Sequence, residues 1–70
     1  MDKRQEVTKN IALMVKASSK TQVQIAREMG VHSTTITDYI SGKSFPTLLG
    51  FIKLCEVLNC RYEDILGRLE

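Results

Sequence analysis

Short polar side chains are concentrated in one stretch of the chain, and they are the residues best suited to hydrogen-bond a ligand. Among its hydroxyl side chains are Ser33, Thr34, Thr37 and Ser41, and a carboxylate lies at Asp38. Hydroxyls both donate and accept hydrogen bonds, whereas an ionised carboxylate only accepts them. At helical spacing these side chains face away from the apolar residues of the same stretch. Taken alone, the set is also typical of an ordinary solvated helix face.

Residues suited to catalysis or metal binding are sparse. His32 is the sole histidine, and Cys55 and Cys60 are the only cysteines. The two cysteines lack the paired spacing of a zinc site, and one histidine cannot complete such a site. The sequence has neither a Ser/His/Asp series nor a phosphate-cradling glycine loop. We therefore expect no enzyme activity, no metal or other cofactor and no small-molecule substrate, and we expect two reduced core thiols.

The basic side chains are concentrated in the first part of the chain. Residues 1–43 hold seven of the ten Lys and Arg residues but only four of the eight Asp and Glu residues. Because phosphate is attracted to positive charge, this part is the more favourable one for a polyanion. The net charge of +2 is too small to establish such a partner by itself.

No segment of the sequence predicts membrane insertion. Residues 2–6 are polar and no apolar region follows them, unlike the start of a signal peptide. The most apolar stretch, Leu48–Leu58, is interrupted by Lys53 and Glu56 and is too short to span a bilayer. We expect one domain over residues 1–70, located in the cytoplasm.

Apolar residues recur at helical rather than alternating spacing, which predicts five helices and no strand. The predicted helices cover about residues 3–17, a segment between Thr21 and Gly30, a short segment ending at Ser41–Lys43, residues 48–58, and a last short segment that ends near Gly67. In the fourth helix the predicted apolar face consists of Leu48, Phe51, Ile52, Cys55 and Leu58.

Several helix ends carry local signals. Asp2 with Gln5 three residues later is typical of a helix start, and Thr21 with Gln24 is a capping box. Gly30 suits the left-handed backbone position just past a helix end. These signals predict where the first two helices begin and where the second one ends.

The most informative unit is an ordered series, Gln22-x-x-Ile25-Ala26-x-x-Met29-Gly30-Val31-x-x-x-x-Ile36-x-x-Tyr39. The small Ala26 lets a second helix cross close to the first. Gly30 permits a sharp turn, because a side chain there meets the left-handed penalty. We expect a cramped corner that only glycine tolerates. Tyr39 is expected in the core.

This series resembles the phage repressor and Cro-like family, often called the XRE helix-turn-helix family. The matching residues are Thr21–Ala26, Met29–Val31, Ile36 and Ser41–Lys43 with Pro46 downstream, and the tail from Leu48 to Leu66 looks like the last two helices of the family. The resemblance implies an all-α, compact five-helix, lambda-repressor-like bundle with a helix-turn-helix over about residues 21–41. It also implies a repressor-like transcriptional regulator that binds double-stranded DNA.

The resemblance also implies which residues contact DNA. Base contacts usually come from the start of the recognition helix, which indicates Ser33, Thr34, Thr37 and Asp38. The expected phosphate contacts come from Gln22, Lys43 and Ser41. Lys20 and Arg27 are weaker phosphate candidates.

Two departures from the family pattern leave a second interpretation open. The predicted recognition helix has no Arg, Lys, Gln or Asn, the side chains that make bidentate base contacts. His32 stands where a Ser or Thr cap is more usual, and we expect it to be a cap or a surface residue. The alternative function is a protein–protein interaction module with the same helix-turn-helix fold.

Family members usually bind DNA as dimers, so we expect a homodimer through the C-terminal helices. The expected contact patch consists of Tyr62, Leu66 and Leu69.

Overall fold

The computed structural model describes residues 2–67, and within them the chain forms five α-helices and no strand. The helices are α1 Lys3–Ala17, α2 Gln22–Met29, α3 Ser33–Ser41, α4 Leu48–Leu58 and α5 Tyr62–Leu66. The predicted all-α five-helix architecture is therefore confirmed.

One apolar core lies where the five helices meet. Helix α2 packs against α3 and α4, while α1 packs against α3 and α5. The buried core residues are Ile11, Val15, Ile25, Ala26, Ile36, Tyr39, Leu54, Cys55, Val57 and Ile65. The expected core position of Tyr39 is confirmed, since only 8% of the residue is exposed. Every helix contributes to this core, so the helix-turn-helix is supported from both ends of the chain.

The predicted caps are present at the first two helices. The Asp2 carboxylate accepts a hydrogen bond from the backbone N–H of Gln5 at 2.9 Å. The hydroxyl oxygen of Thr21 accepts from the Gln24 N–H at 3.1 Å, and the Gln24 side chain accepts from the Thr21 N–H at 3.0 Å. These bonds satisfy amide groups that a helix start otherwise leaves without partners.

Gly30 adopts the predicted left-handed conformation, with φ of +77°. The expectation of a cramped corner is wrong, because a Cβ built at Gly30 has no atom within 4 Å. The requirement for glycine is therefore a requirement on the backbone torsion and not on space. A residue with a Cβ is penalised in this region by its own carbonyl oxygen.

The predicted apolar face of α4 is confirmed at Cys55, which is buried, and at Phe51 and Leu58, which pack against the core, but it fails in the first turn of the helix. Leu54 and Val57 are buried in the core, whereas Leu48 is 74% exposed. Leu48 is the first residue of α4 and directly follows its cap, Thr47. The prediction of Leu48 on the buried face is wrong, and the neighbouring Leu49 is exposed as well.

The short helix α5 is held by polar contacts from α1. The side-chain amide of Asn10 donates to the carbonyl of Ile65 at 2.9 Å, and the Lys3 ammonium donates to the carbonyl of Leu66 at 3.0 Å. A helix this short is not stable by itself. The two bonds, together with the fully buried Ile65, fix α5 on the surface of α1.

The two cysteines lie at the end of α4. Both are free thiols, with Cys55 buried and Cys60 half-buried. Burial raises the pKa of the Cys55 thiol to about 12. A thiol with such a high pKa stays protonated and unreactive at neutral pH. This agrees with the expected role of reduced core thiols.

Substitution of Gly30 tests whether the turn depends on its backbone torsion. We expect Gly30→Ala to lower the free energy of unfolding by about 1 kcal/mol, because the alanine Cβ disfavours the left-handed region. Gly30→Val is expected to lower it further, since a β-branched residue tolerates positive φ least. Urea denaturation followed by circular dichroism measures both changes.

Gly30→Asn is the matched control, because asparagine adopts positive φ more readily than other residues with a Cβ. It is expected to be more stable than the alanine variant despite its larger side chain. A stability order that follows side-chain volume would contradict the torsional explanation.

Candidate nucleic-acid interface

The turn between α2 and α3 is closed by backbone hydrogen bonds. The N–H of Val31 donates to the carbonyl of Ala26 at 2.9 Å, and the N–H of Gly30 donates to the carbonyl of Arg27 at 3.2 Å. These bonds satisfy carbonyls at the end of α2, and α3 begins after only three intervening residues. Because Ile25 and Ile36 are both fully buried, the two helices are locked together below the turn.

Helix α3 is divided into a buried and an exposed side. Ile36 and Tyr39 are buried, whereas Ser33, Thr34, Thr37 and Ser41 are exposed and Asp38 is half-buried. The structure thus brings the sequence-predicted base-contacting residues onto one accessible surface, with Asp38 at its edge. We call the five polar residues Ser33, Thr34, Thr37, Asp38 and Ser41 the α3 surface.

The start of α3 offers hydrogen-bonding groups that the protein itself does not use. His32 occupies the N-cap position, is exposed, and makes no side-chain cap hydrogen bond. The first amides of a helix have no intrahelical acceptor, which leaves the N–H groups of Ser33 and Thr34 available. Within residues 2–67, the hydroxyls of both residues also make no hydrogen bond. These groups point to an acceptor-rich partner such as a nucleic acid.

Gln22 and Thr37 connect the two helices across the turn. The Thr37 hydroxyl lies 3.2 Å from the side-chain oxygen of Gln22 and 3.3 Å from the carbonyl of Ser33. Since a hydroxyl has one proton, either bond commits Thr37 as a donor and leaves its oxygen as an acceptor. The bond to Gln22 directs the amide NH₂ of that side chain away from Thr37, where it can donate to another group.

The end of α3 fixes the position of Lys43. Gly42 has φ of +82°, and the N–H of Lys43 donates to the carbonyl of Asp38 at 2.9 Å. The Ser41 hydroxyl donates to the same carbonyl at 3.2 Å. The proton of Ser41 is therefore used within the turn, which makes Ser41 a weaker phosphate donor than the exposed Lys43.

Lys20 has a structural role that sequence inspection missed. Its ammonium lies 2.7 Å from the Glu28 carboxylate and 2.9 Å from the carbonyl of Val57. It thereby ties the start of the helix-turn-helix to the last turn of α4. No local sequence signal indicates this contact, because Val57 is distant along the chain. Because the charge of Lys20 is paired with the Glu28 carboxylate, Lys43 is the stronger phosphate candidate.

Two other features, a cluster of metal ligands and a membrane-spanning helix, are absent from the part of the chain that the structure describes. Among residues 2–67, no three His, Cys, Asp or Glu side chains lie together as metal ligands would. No helix in the same range has the length and apolar character needed to cross a membrane.

Comparison with known protein families gives a match that agrees with this geometry. The helix-turn-helix family model HTH_3 matches residues 11–65, which include all of α2, α3 and α4. The chain belongs to this helix-turn-helix family. The membership predicted from the ordered series around Gly30 is thereby confirmed, and it supports DNA-binding transcriptional regulation.

A curated relative and a solved structure extend the comparison. The chain is 32% identical over 63 residues to the cryptic phage CTXphi transcriptional repressor RstR of Vibrio cholerae. The match covers 90% of this chain and 56% of that protein, so the chain spans about half the length of this relative. The solution structure of the SOS-response transcriptional repressor LexA from Eubacterium rectale superposes with a TM-score of 0.81 at 23% identity. That likeness covers 97% of this chain and 74% of the LexA chain, and it concerns the fold.

Replacing Lys20 tests its structural role. We expect Lys20→Met to lower the free energy of unfolding by about 1 kcal/mol, because the carbonyl of Val57 and the Glu28 carboxylate both lose a charged donor. The exposed Lys16 of α1 provides the control, and Lys16→Met is expected to change stability by less than about 0.5 kcal/mol. Equal stability of the two variants in urea denaturation would show that the Lys20 contacts contribute nothing.

Proposed function

We propose that this protein binds double-stranded DNA in a sequence-specific manner and regulates transcription, as a repressor-like protein, with α3 in the major groove. One observation carries the proposal: the start of α3 presents amides and hydroxyls that the protein does not use, on a helix that Gln22 contacts through Thr37. The family match and the likeness to a phage transcriptional repressor support it.

The α3 surface provides the base contacts of this proposal. Ser33 and Thr34 have free hydroxyls that can donate to or accept from base edges. Thr37 retains an acceptor oxygen and a methyl group, which suit a base amino group and the thymine methyl. The Asp38 carboxylate can accept from the amino group of cytosine. None of these short side chains makes the bidentate base contact that Arg or Gln can make. We therefore propose modest specificity with a contribution from DNA shape.

Phosphate contacts would position α3 in the groove. The N–H groups of Gln22 and Val23 in the first turn of α2 have no intrahelical acceptor, and the helix dipole favours an anion there. The directed NH₂ of Gln22 adds a further donor beside them. At the other end of α3, Lys43 supplies a full positive charge. Ser41 is the weaker contact, because its hydroxyl donates to a phosphate only by giving up its bond to the Asp38 carbonyl.

The proposal includes a homodimer and a cytoplasmic location, and it requires no cofactor, small-molecule substrate or membrane. One domain of this size covers too little DNA for tight specific binding, which favours two copies. Tyr62 is 52% exposed and its ring lies against Phe51, with centroids 5.7 Å apart. Leu66 is half-buried, while Leu69 lies outside the described residues. We propose that α5 provides the contact between the copies.

One observation favours the alternative of a protein-interaction module. Leu48 and Leu49 are 74% and 76% exposed at the start of α4. Adjacent exposed leucines are typical of protein–protein contacts more than of phosphate contacts. DNA binding that is absent, or that is independent of salt, would favour this alternative.

Selection of sites from random duplex DNA, followed by gel-shift titration at several salt concentrations, tests the DNA-binding proposal. We expect enrichment of a defined sequence and an affinity that falls steeply as salt rises. A pool that stays random after repeated selection would contradict sequence-specific binding.

Lys43→Ala tests the phosphate contact. We expect weaker binding to all duplex sequences alike and a salt slope smaller in magnitude by about 0.9, the value for one lost phosphate contact. Lys53→Ala is the charge-matched control, because Lys53 is exposed on α4, outside the α3 surface. If both variants keep the wild-type slope, the assignment of Lys43 is wrong.

Sedimentation analysis tests the dimer. We expect the wild type to self-associate at micromolar concentrations and Tyr62→Ser to shift the equilibrium towards monomer. On DNA, two copies related by a twofold axis would contact half-sites about 34 Å apart. A wild-type protein that remains monomeric at high micromolar concentration and on a selected site would contradict the proposal.

A further inference from the structure

A surface groove lies between the first half of α1 and the end of α3. Its lining residues are Asp2, Arg4, Gln5, Thr8, Lys9, Ser41, Gly42 and Phe45. The groove therefore begins at Ser41, the last residue of the α3 surface, and extends towards the N-terminus of the chain. A ligand that follows α3 beyond its last turn would enter it.

Arg4 is held at the mouth of this groove by an aromatic ring. The guanidinium carbon of Arg4 lies 5.8 Å from the centroid of the Phe45 ring. This distance is within the range of a cation–π contact. Such a contact covers one face of the guanidinium and leaves its N–H groups at the edge free to donate. An arginine in this arrangement is suited to phosphate, which it can bind through two parallel hydrogen bonds.

Two lining residues of the groove, Thr8 of α1 and Gly42 after α3, lie close together. A Cβ built at Gly42 would lie 3.2 Å from the methyl group of Thr8, so the two elements approach closely here. Lys9, the next residue of α1, is exposed and lines the same groove. The close contact fixes the spacing between Lys9 and the end of α3.

The charges of the groove favour an anion. Arg4 and Lys9 carry positive charge, and the only acid among the lining residues is Asp2. The Asp2 carboxylate is already used, because it accepts from the Gln5 N–H as the cap of α1. The groove thus presents two cationic side chains against one carboxylate, one oxygen of which already accepts a hydrogen bond as the helix cap.

We propose that this groove is a further DNA-backbone subsite, in which Arg4 and Lys9 bind phosphates beyond the end of the recognition helix. The inference rests on the proposed DNA binding and deepens it. The occupant is the phosphodiester backbone of the same duplex, because the groove is continuous with the α3 surface through Ser41 and is complementary in charge. Phe45 acts as a positioning residue that orients Arg4.

The salt dependence of binding to a short random-sequence duplex tests this subsite. Each lost phosphate contact reduces the magnitude of the salt slope by about 0.9, so Arg4→Gln with Lys9→Gln should reduce it by about 1.8. Lys53→Gln is the control with the same change of side chain, and it should keep the wild-type slope. Arg4 and Lys9 are both exposed, so we expect the variants to fold. Thermal melting is the control that checks this.

A second measurement does not depend on variants. Acetylation of surface lysines, read by mass spectrometry, should slow at Lys9 when the duplex is added, and should be unchanged at Lys53. For the positioning role of Phe45, Phe45→Leu should lower the affinity for the duplex. Phe45→Tyr should keep the wild-type affinity, because tyrosine keeps the aromatic face.

The outcomes separate the two proposals. A wild type that binds duplex DNA with a steep slope, together with a double variant of unchanged slope and an unprotected Lys9, would overturn the subsite and leave DNA binding intact. A wild type that does not bind the duplex would overturn both. A reduced slope with Lys9 protected would support the subsite.

Discussion

The left-handed backbone at Gly30 determines where α3 can lie. Its torsion ends α2 and lets α3 begin three residues later, while the N–H of Val31 still closes the end of α2. With Ile25 and Ile36 fully buried beneath the turn, α3 has little freedom to rotate. The packing of these two residues therefore determines which side of α3 faces solvent. The interface is pre-organised, so binding a partner costs little ordering of the backbone.

Hydrogen bonds within the protein sort the polar side chains of the interface into two groups. Thr37 and Ser41 donate to groups of the protein, so their remaining capacity is mostly that of acceptors. Ser33 and Thr34 keep both functions, because the helix start does not use them. The same principle explains Lys20, whose ammonium stabilises the packing of α2 on α4. Residue type alone therefore does not decide which polar groups are available to a ligand.

Much of the fold could be predicted from local sequence signals. Contacts between residues far apart along the chain could not. The capping box of Thr21 and Gln24 and the glycine at position 30 act over three or four residues, so their patterns are visible in the sequence. The bond from Lys20 to Val57 joins residues far apart, and no spacing rule indicates it. Leu48 was misassigned for a related reason: helical periodicity describes the direction of a side chain, but not whether another helix covers that turn.

The most direct test of the account is nuclear magnetic resonance of the isotope-labelled protein titrated with a selected duplex. We expect the amide signals of Ser33, Thr34 and Gln22 to shift most, because their N–H groups gain phosphate or base partners. The signal of Asn59, at the far end of α4, should not move. Shifts confined to Leu48 and Leu49, with the start of α3 unaffected, would contradict the claim that α3 reads DNA.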